Sequence, residues 1–428
     1  MLETMRNAWR VPEIRKKLLY TLIMLLIFRL LSMIPCPGVI SVQDAMGANN
    51  NGLLDLVNMM NGSALSQGTI MAMGISPYIN ASIIIQLLTV AIPALERLSK
   101  DGGEEGRKKI NQITRYVTVG LAVLQAIGII SMLNNSYGMV SEGYDNFWGF
   151  CLIGIVMAGG TAMAMWIGDR ITKSGIGNGV SLLILVGIIS NLFTGFSTAI
   201  RNVFTPGGFA ANIWQLVLLV ALTLFFIVVI TFVDSAERRI PVQYAKRVVG
   251  RKMYGGQSTY IPMKVLAVGV LPLIFAYSFM AFPTTIVGLI GGSNSDAYKW
   301  CTENLSNGSW LYIVICALLI IAFAYFYTAI TFNPQDIAKN VQQQGGNIQG
   351  IRPGQATVNF LSRTSTRLTL FAGLFLAILA TVPSAIPSSL ISIPFGASSI
   401  MIAVSVALET VRQVESQLVM RNYKGFLG

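Results

Sequence analysis

The sequence contains no histidine, and only 11% of its 428 residues are charged. Soluble globular proteins carry about 25% charged residues, so this composition excludes an ordinary cytosolic enzyme. Without histidine, chemistry that uses imidazole as a general base, proton relay or metal ligand lacks its usual side chain. The four cysteines form no CxxC pair, so we expect each to be a small apolar residue. No P-loop pattern is present, and we expect no cofactor.

Apolar residues make up 54% of the chain instead, and the mean hydropathy is +0.64. A bilayer core of about 30 Å requires about 20 apolar residues per helix. At that length the sequence predicts ten membrane spans, near 18–35, 70–95, 113–133, 148–168, 177–198, 213–233, 265–290, 310–332, 368–387 and 397–412. A further apolar stretch at 53–60 is too short to span, so we interpret it as a re-entrant or plugging segment.

The distribution of charge predicts the orientation. Lys and Arg number 30 against 18 Asp and Glu, a net charge of +12. Ten spans place both termini on one side, and every Lys and Arg except Arg29, Arg201 and Lys299 falls on that side. Positive charges concentrate in cytoplasmic loops, so we expect both termini in the cytoplasm. The predicted division is a tail at 1–17, a first half at 18–198, an external connection at 199–212, a second half at 213–412 and a tail at 413–428.

Two basic loops on the predicted cytoplasmic side are longer than a tight connection needs. The loop at 234–264 has apolar residues alternating at Ile240, Val242 and Tyr244, a spacing typical of a strand. The loop at 333–367 contains GIRPG at 350–354. Long, basic loops on one face favour a docking surface for a large partner, such as one that carries RNA.

The two halves share a short repeat. Residues 74–79 read GISPYI and residues 269–274 read GVLPLI, both Gly-x-x-Pro-x-Ile at the second span of a half. Because each half has an odd number of spans, the halves must have opposite orientations, as in many transport proteins. We expect Pro77 and Pro272 to kink or loosen their spans, either as a hinge between the halves or as simple packing kinks.

The predicted spans are almost free of charge. Arg29 is essentially their only ionisable residue, which argues against a proton-coupled pump. A passive conduit, an intramembrane insertion device and a sodium-coupled carrier remain open, whereas an intramembrane enzyme is disfavoured by the missing histidine and the lack of paired carboxylates. Ser82, Gln86 and Thr89 form a polar stripe that suits either a transiently opening interface or ordinary interhelical hydrogen bonding.

Six motifs in order along the chain resemble the SecY family, whose members form the centre of the bacterial protein-translocation channel. They are GISPYINASIIIQLLTVAIP at 74–93, EEGRKKINQITRY at 104–116, GIGNGVSLLI at 175–184, GVLPLIFAYS at 269–278, GIRPG at 350–354 and VRQVESQLVMRNYKGF at 411–426. The resemblance implies an all-α polytopic membrane protein. Its ten transmembrane helices would form two inverted five-helix halves around an hourglass pore with a plug and a lateral gate.

The resemblance also implies roles for individual residues. It places an aliphatic pore ring on Ile79, Ile83, Ile184, Ile188, Ile274 and Ile402. It places the plug at 53–60, with the apolar residues Leu53, Leu54, Leu56, Val57, Met59 and Met60. Polar contacts of the lateral gate would be Gln86, Thr89 and Ser278. Partner docking would use Arg238, Arg239, Lys246, Arg247, Arg251 and Arg352.

A non-enzymatic channel in the bacterial plasma membrane is the function that the resemblance implies. Unfolded secretory polypeptides would pass across the membrane, and signal sequences and transmembrane segments would leave sideways into the lipid bilayer. The energy would come from partners, either the motor ATPase SecA or the ribosome. The small subunits SecE and SecG are the further partners that the family implies.

Overall fold

Long apolar runs become long helices, because a helix satisfies every backbone polar group within one segment. The computed structural model describes residues 6, 8–41, 58, 61–100, 102–141, 143–204, 209–244, 247–249, 252–254, 258–267, 269–291, 300–301, 304–305, 309–385 and 397–424. Its helices are α1 Pro12–Leu31, α2 Ser76–Ala91, α3 Pro93–Lys100, α4 Gly103–Tyr137, α5 Phe147–Ser174, α6 Gly179–Phe204, α7 Phe209–Ser235, α8 Leu271–Gly291, α9 Trp310–Thr331, α10 Pro334–Gln343, α11 Gln355–Ala385 and α12 Ala397–Lys424. The strands are β1 Glu237–Tyr244, β2 Arg247–Val249, β3 Lys252–Tyr254, β4 Ser258–Lys264 and β5 Gly346–Ile348.

A helix overlaps each of the ten predicted spans. Within the described residues, six segments are long and apolar enough to cross a membrane: Gly103–Ser131, Phe147–Ser174, Gly179–Arg201, Leu216–Ser235, Trp310–Gln343 and Gln355–Val382. Helices α2 and α3 would form a seventh if taken together, but they meet at an angle of 105°. The chain therefore has several membrane-spanning helices, and the count of ten stays a prediction.

The prediction that Pro77 and Pro272 kink their spans is wrong, because each is the second residue of its helix. Proline is well tolerated in the first turn, where its missing N–H would have no helical partner. In each copy of the repeat a glycine with positive φ precedes the helix, Gly74 at +50° and Gly269 at +60°. The first-turn hydrogen bonds are also the same, 3.2 Å from Ile79 N to Ile75 O and from Ile274 N to Val270 O. The sequence repeat is therefore also a structural repeat, one that starts a helix.

Three apolar clusters organise the helices. A first-half core joins α4 and α5 with residues 64–73, through side chains such as Ile130 and Ile153. A second-half core joins α7, α8, α9, α11 and α12, around Ile320 and Leu376. The third, which we name the central cluster, draws on α1, α2, α5, α6, α8 and α12 and therefore contains elements of both halves.

The two long basic loops fold into one structure, which we name the loop sheet. Strand β1 lies between β4 and β5, antiparallel to both, with Ile240 opposite Ile261 and Val242 opposite Ile348. The alternation of Ile240 and Val242 predicted a strand, and β1 confirms it, since both side chains are buried. Strands β2 and β3 form a separate hairpin. The pairing of β1 with β5 joins the loop at 234–264 to the loop at 333–367, which the sequence did not indicate.

Candidate functional site

The six isoleucines expected at the pore lie together in the central cluster. Each is at most 8% exposed, and all six belong to one contiguous group of buried apolar side chains. Helix α2 contributes two of them, α6 two, and α8 and α12 one each: Ile79, Ile83, Ile184, Ile188, Ile274 and Ile402. The structure thus brings together side chains that are more than 300 residues apart in sequence.

Helical periodicity explains how each helix presents these residues. On α2 and on α6 the two isoleucines are four residues apart, so they lie one above the other on one face. Isoleucine is branched at Cβ and holds a restricted χ1 in a helix, so these side chains form a stiff apolar surface. An isoleucine side chain carries no hydrogen-bonding group and no charge. The surface therefore offers no polar contact that would favour one polypeptide sequence over another.

Val180 is a further contributor that the sequence interpretation missed. It lies four residues before Ile184 on α6, and its side chain packs against the central cluster. The signal that could have found it is the continued spacing of Val180, Ile184 and Ile188 along one helix face. Leu192, four residues after Ile188, also packs against the cluster, so the apolar stripe of α6 is four side chains long.

Beside this stripe lies a buried segment without regular secondary structure, residues 61–75. Polar side chains from two helices bond to the backbone of this segment and of Asn58, which precedes it. The Arg29 guanidinium of α1 donates to Gly62 O at 3.0 Å, and the Asn191 amide of α6 donates to Asn58 O at 3.1 Å. Asn61 donates to Ala72 O at 2.9 Å, within the segment. Arg29, which lies within the predicted span 18–35, therefore has a backbone partner in the folded structure.

The predicted plug residues lie outside the described residues. Leu53, Leu54, Leu56, Val57, Met59 and Met60 all belong to that part of the chain. Of the range 53–60, only Asn58 is described, and it is helical and half-buried. The plug stays a prediction, whereas residues 61–75, which follow it in sequence, have the contacts to Arg29 and within the segment described above.

The three side chains expected at the lateral gate lie on helices that contact each other, α2 and α8. Gln86 is exposed, whereas Thr89 and Ser278 are half-buried. The Thr89 hydroxyl donates to Ile85 O of its own helix at 2.7 Å. Among the described residues no hydrogen bond joins any two of the three. Helix α4 also contacts α8.

The predicted docking residues that are described lie exposed around the loop sheet. Arg239 donates from Nε to Glu237 Oε1 at 2.7 Å, and its guanidinium lies 4.8 Å from the centre of the Tyr260 ring. The hydrogen bond to Glu237 is the main cause that raises the pKa of Arg239 above its ordinary value. Arg352 is exposed, and its carbonyl accepts from the Thr357 hydroxyl at 3.1 Å.

The side chains of the other three predicted docking residues are not described. Lys246 and Arg251 lie outside the described residues, and Arg247 is described only through its backbone, which begins β2. Two arginines that the prediction omitted, Arg363 and Arg367 on α11, line a cleft with Arg238. The basic surface is therefore broader than the predicted set.

An ion pair links the loop sheet to the helix that carries Ile402. The buried Asp234, at the end of α7 and just before β1, lies 3.3 Å from the Arg412 guanidinium of α12. The Arg412 guanidinium also donates to Asp234 O, and Ser405 donates to the Asp234 carboxylate at 3.4 Å. The described residues hold no cluster of His, Cys, Asp or Glu that could bind a metal.

The family model described as SecY matches residues 69–411. The chain is 44% identical to "Protein translocase subunit SecY" of Streptomyces galbus and 40% identical to the protein of that name from Bacillus subtilis (strain 168), covering 100% of both chains in each case.

Solved structures show the same fold. "The structure of a protein conducting channel" matches with a TM-score of 0.70 and 20% identity, over 94% of this chain and 92% of that one. "Sec61 in the Canine ribosome-channel complex from the endoplasmic reticulum" matches with a TM-score of 0.64 and 18% identity, over 94% and 92%. These similarities confirm the predicted fold class, an all-α polytopic membrane channel.

Proposed function

This chain belongs to the SecY family of protein-translocase subunits, and we propose that its central isoleucine cluster is the constriction through which a translocated polypeptide passes. The chain is a multi-pass membrane protein and a non-enzymatic subunit of a protein-conducting channel. The proposed ring is Ile79, Ile83, Ile184, Ile188, Ile274 and Ile402, to which the geometry adds Val180.

The observation that carries the proposal is the burial of all six isoleucines in one cluster between the two half-cores. An apolar constriction excludes ions, because an ion that enters it loses hydration and gains no polar partner. A polypeptide of any sequence can replace the contacts among the isoleucines with contacts to itself. The same ring can therefore seal the resting membrane and admit unrelated substrates.

The lateral exit would run between α2 and α4 on one side and α8 and α9 on the other. Gln86, Thr89 and Ser278 supply neutral polar groups along this contact, and no hydrogen bond among them needs to break when the helices separate. Neutral polar groups cost less to expose to lipid than charged ones. Signal sequences and transmembrane segments would leave by this route.

Family membership and the distribution of charge support a proposal for the partners and the location. We place the chain in the bacterial plasma membrane with ten spans, both termini cytoplasmic, and the divisions 1–17, 18–198, 199–212, 213–412 and 413–428. The plug would lie at 53–60. The exposed arginines around the loop sheet would receive the ribosome or SecA, and SecE and SecG would complete the channel. A relative of the same fold is described in a ribosome–channel complex.

Reconstitution tests whether the chain acts as a protein-conducting channel, and cross-linking to the ring positions tests the constriction. Vesicles that contain this chain with SecE and SecG, supplied with SecA, ATP and an unfolded precursor, should accumulate precursor that resists added protease. Vesicles without this chain provide the control. Sodium-driven uptake of a small solute by the chain alone, with no protected precursor, would instead support the sodium-coupled carrier.

A further inference from the structure

Residues 62 and 63 form the most unusual backbone near the ring. Gly62 and Ser63 both have φ of +67°, and Ser63 is the only described residue other than glycine with positive φ. A non-glycine residue in the left-handed region carries steric strain and persists only where its surroundings hold it. The contacts of Ser63 therefore indicate what keeps this turn in place.

Asn191 is the side chain that holds the turn. The Ser63 hydroxyl donates to Asn191 Oδ1, while Asn191 Nδ2 donates to Asn58 O at 3.1 Å. Asn58 also accepts from the backbone N–H of Ser63 at 2.9 Å and, through its side chain, from that of Ser66 at 3.1 Å. One amide on α6 thus contacts both the residue that enters the turn and the strained residue within it.

The same helix carries the ring. Asn191 lies three residues after Ile188 on α6, so both side chains are on neighbouring parts of one face. The turn also approaches α6 closely, since a Cβ at Gly62 would lie 3.4 Å from Gly187. A movement of α6 relative to the turn would therefore change the contacts between Asn191 and the turn.

We infer that Asn191 is the positioning residue that keeps the 61–75 segment closed against the ring-bearing helix, so that ion tightness depends on its hydrogen bonds to Ser63 and Asn58. Non-helical backbone at membrane depth requires internal partners, and here α6 supplies them from a side chain rather than from its backbone. Movement of α6 then releases the strained turn together with the ring. The inference rests on the proposed constriction and adds a second condition for the seal.

The test is ion leak through vesicles that contain the assembled channel, measured without precursor. Asn191→Leu, which removes the hydrogen bonds to Ser63 and Asn58, should raise the resting leak roughly tenfold. Ser63→Ala should raise it less, and the double variant should leak no more than Asn191→Leu, because both changes remove the same contact. Thr194→Val is the matched control, since Thr194 lies one turn further along α6, is exposed and donates only to Ser190 O of its own helix.

A second readout separates positioning from simple loss of stability. The Asn191→Leu channel should also export a precursor with a defective signal sequence at a measurable rate, while its yield in the membrane matches that of Thr194→Val. If the Asn191→Leu protein fails to accumulate in the membrane, the leak of the Ser63→Ala channel is the test instead. Ser63→Ala removes a single hydroxyl and is therefore the smaller change to the fold.

A wild-type leak in Asn191→Leu, or in Ser63→Ala where only that variant accumulates, would overturn the inference. Ile402→Asn in the same vesicles distinguishes failure of the proposed constriction from failure of the role inferred for Asn191. A leak in Ile402→Asn with a tight Asn191→Leu channel rejects only the inference. Tight channels in both variants reject the constriction as well.

Discussion

The central cluster and the loop sheet are both buried apolar cores, but they are held together differently. The central cluster joins six helices through side chains, and its isoleucines share no backbone hydrogen bond between helices. The loop sheet joins β4, β1 and β5 through a continuous antiparallel ladder over the apolar residues Ile240, Val242 and Ile348. Contacts between apolar side chains, here including Phe28 and Phe275, can open without breaking hydrogen bonds, so the bonds of Asn191 to the neighbouring turn are the polar contacts that an outward movement of α6 would break. A paired sheet, in contrast, moves as one body.

The central cluster and the loop sheet also differ in charge. The six ring isoleucines are uncharged, while arginines such as Arg238, Arg239 and Arg352 are exposed around the loop sheet. An uncharged cluster suits a seal, and a rigid basic platform suits the docking of a large partner. Sealing and docking should therefore be separable by mutation, although the ion pair between Asp234 and Arg412 joins the two regions physically.

The largest effect should come from Ile402→Asn, which places an amide among buried aliphatic side chains. An unsatisfied polar group costs about 1–3 kcal/mol in a protein interior, which corresponds to a rise of roughly 5- to 150-fold in the open fraction. We expect a matching rise in ion conductance of the resting channel, together with export of precursors that have defective signals. Planar-bilayer recording measures the first, and protease protection the second.

Ala407→Asn is the control for this change, because Ala407 lies on the same helix but is exposed. Its conductance should stay near the wild-type value. Equal conductance in the two variants would mean that the central cluster does not form the seal.

A smaller effect is expected from Arg352→Glu, a change at the loop sheet and not in the central cluster. Reversing this exposed charge should lower the rate of partner-driven translocation about tenfold, since a close pair of unlike charges becomes a repulsive one. The resting ion leak should not change. Lys339→Glu makes the same charge change at another exposed position on the preceding helix, α10, and should retain most of the rate. A leaky Arg352→Glu channel, or equal loss in both variants, would contradict the separation of docking from sealing.

Periodicity and repeats predicted the parts of this structure that depend on local sequence. Helices over the ten apolar stretches, the strand around Ile240 and the equivalence of Ile79 and Ile274 all carry a local signal. Pro77 was misjudged because its effect depends on the preceding turn at Gly74, where a Cβ would lie 2.1 Å from the Asn61 side chain. Proline at that point begins a helix instead of bending one.

Pairs that are distant in sequence carried no such signal. The bonds of Ser63 with Asn191 and of Asp234 with Arg412 span 128 and 178 residues, and each partner alone resembles an ordinary polar residue near a helix. The same holds for the pairing of β1 with β5, since three residues with Gly346 at one end have little strand character of their own. These contacts fix how the helices are positioned around the ring, and only the folded structure reveals them.

The central claim is that a translocating chain passes through the isoleucine ring, and site-specific cross-linking tests it most directly. The native cysteines Cys36, Cys151, Cys301 and Cys316 would first be replaced. Single cysteines would then be introduced by Ile79→Cys, Ile274→Cys, Ile402→Cys and, as a control on the exposed face of α7, Val228→Cys. We predict that a stalled secretory chain cross-links to positions 79, 274 and 402 but not to 228. Efficient cross-linking at 228, with none at the three ring positions, would contradict the account.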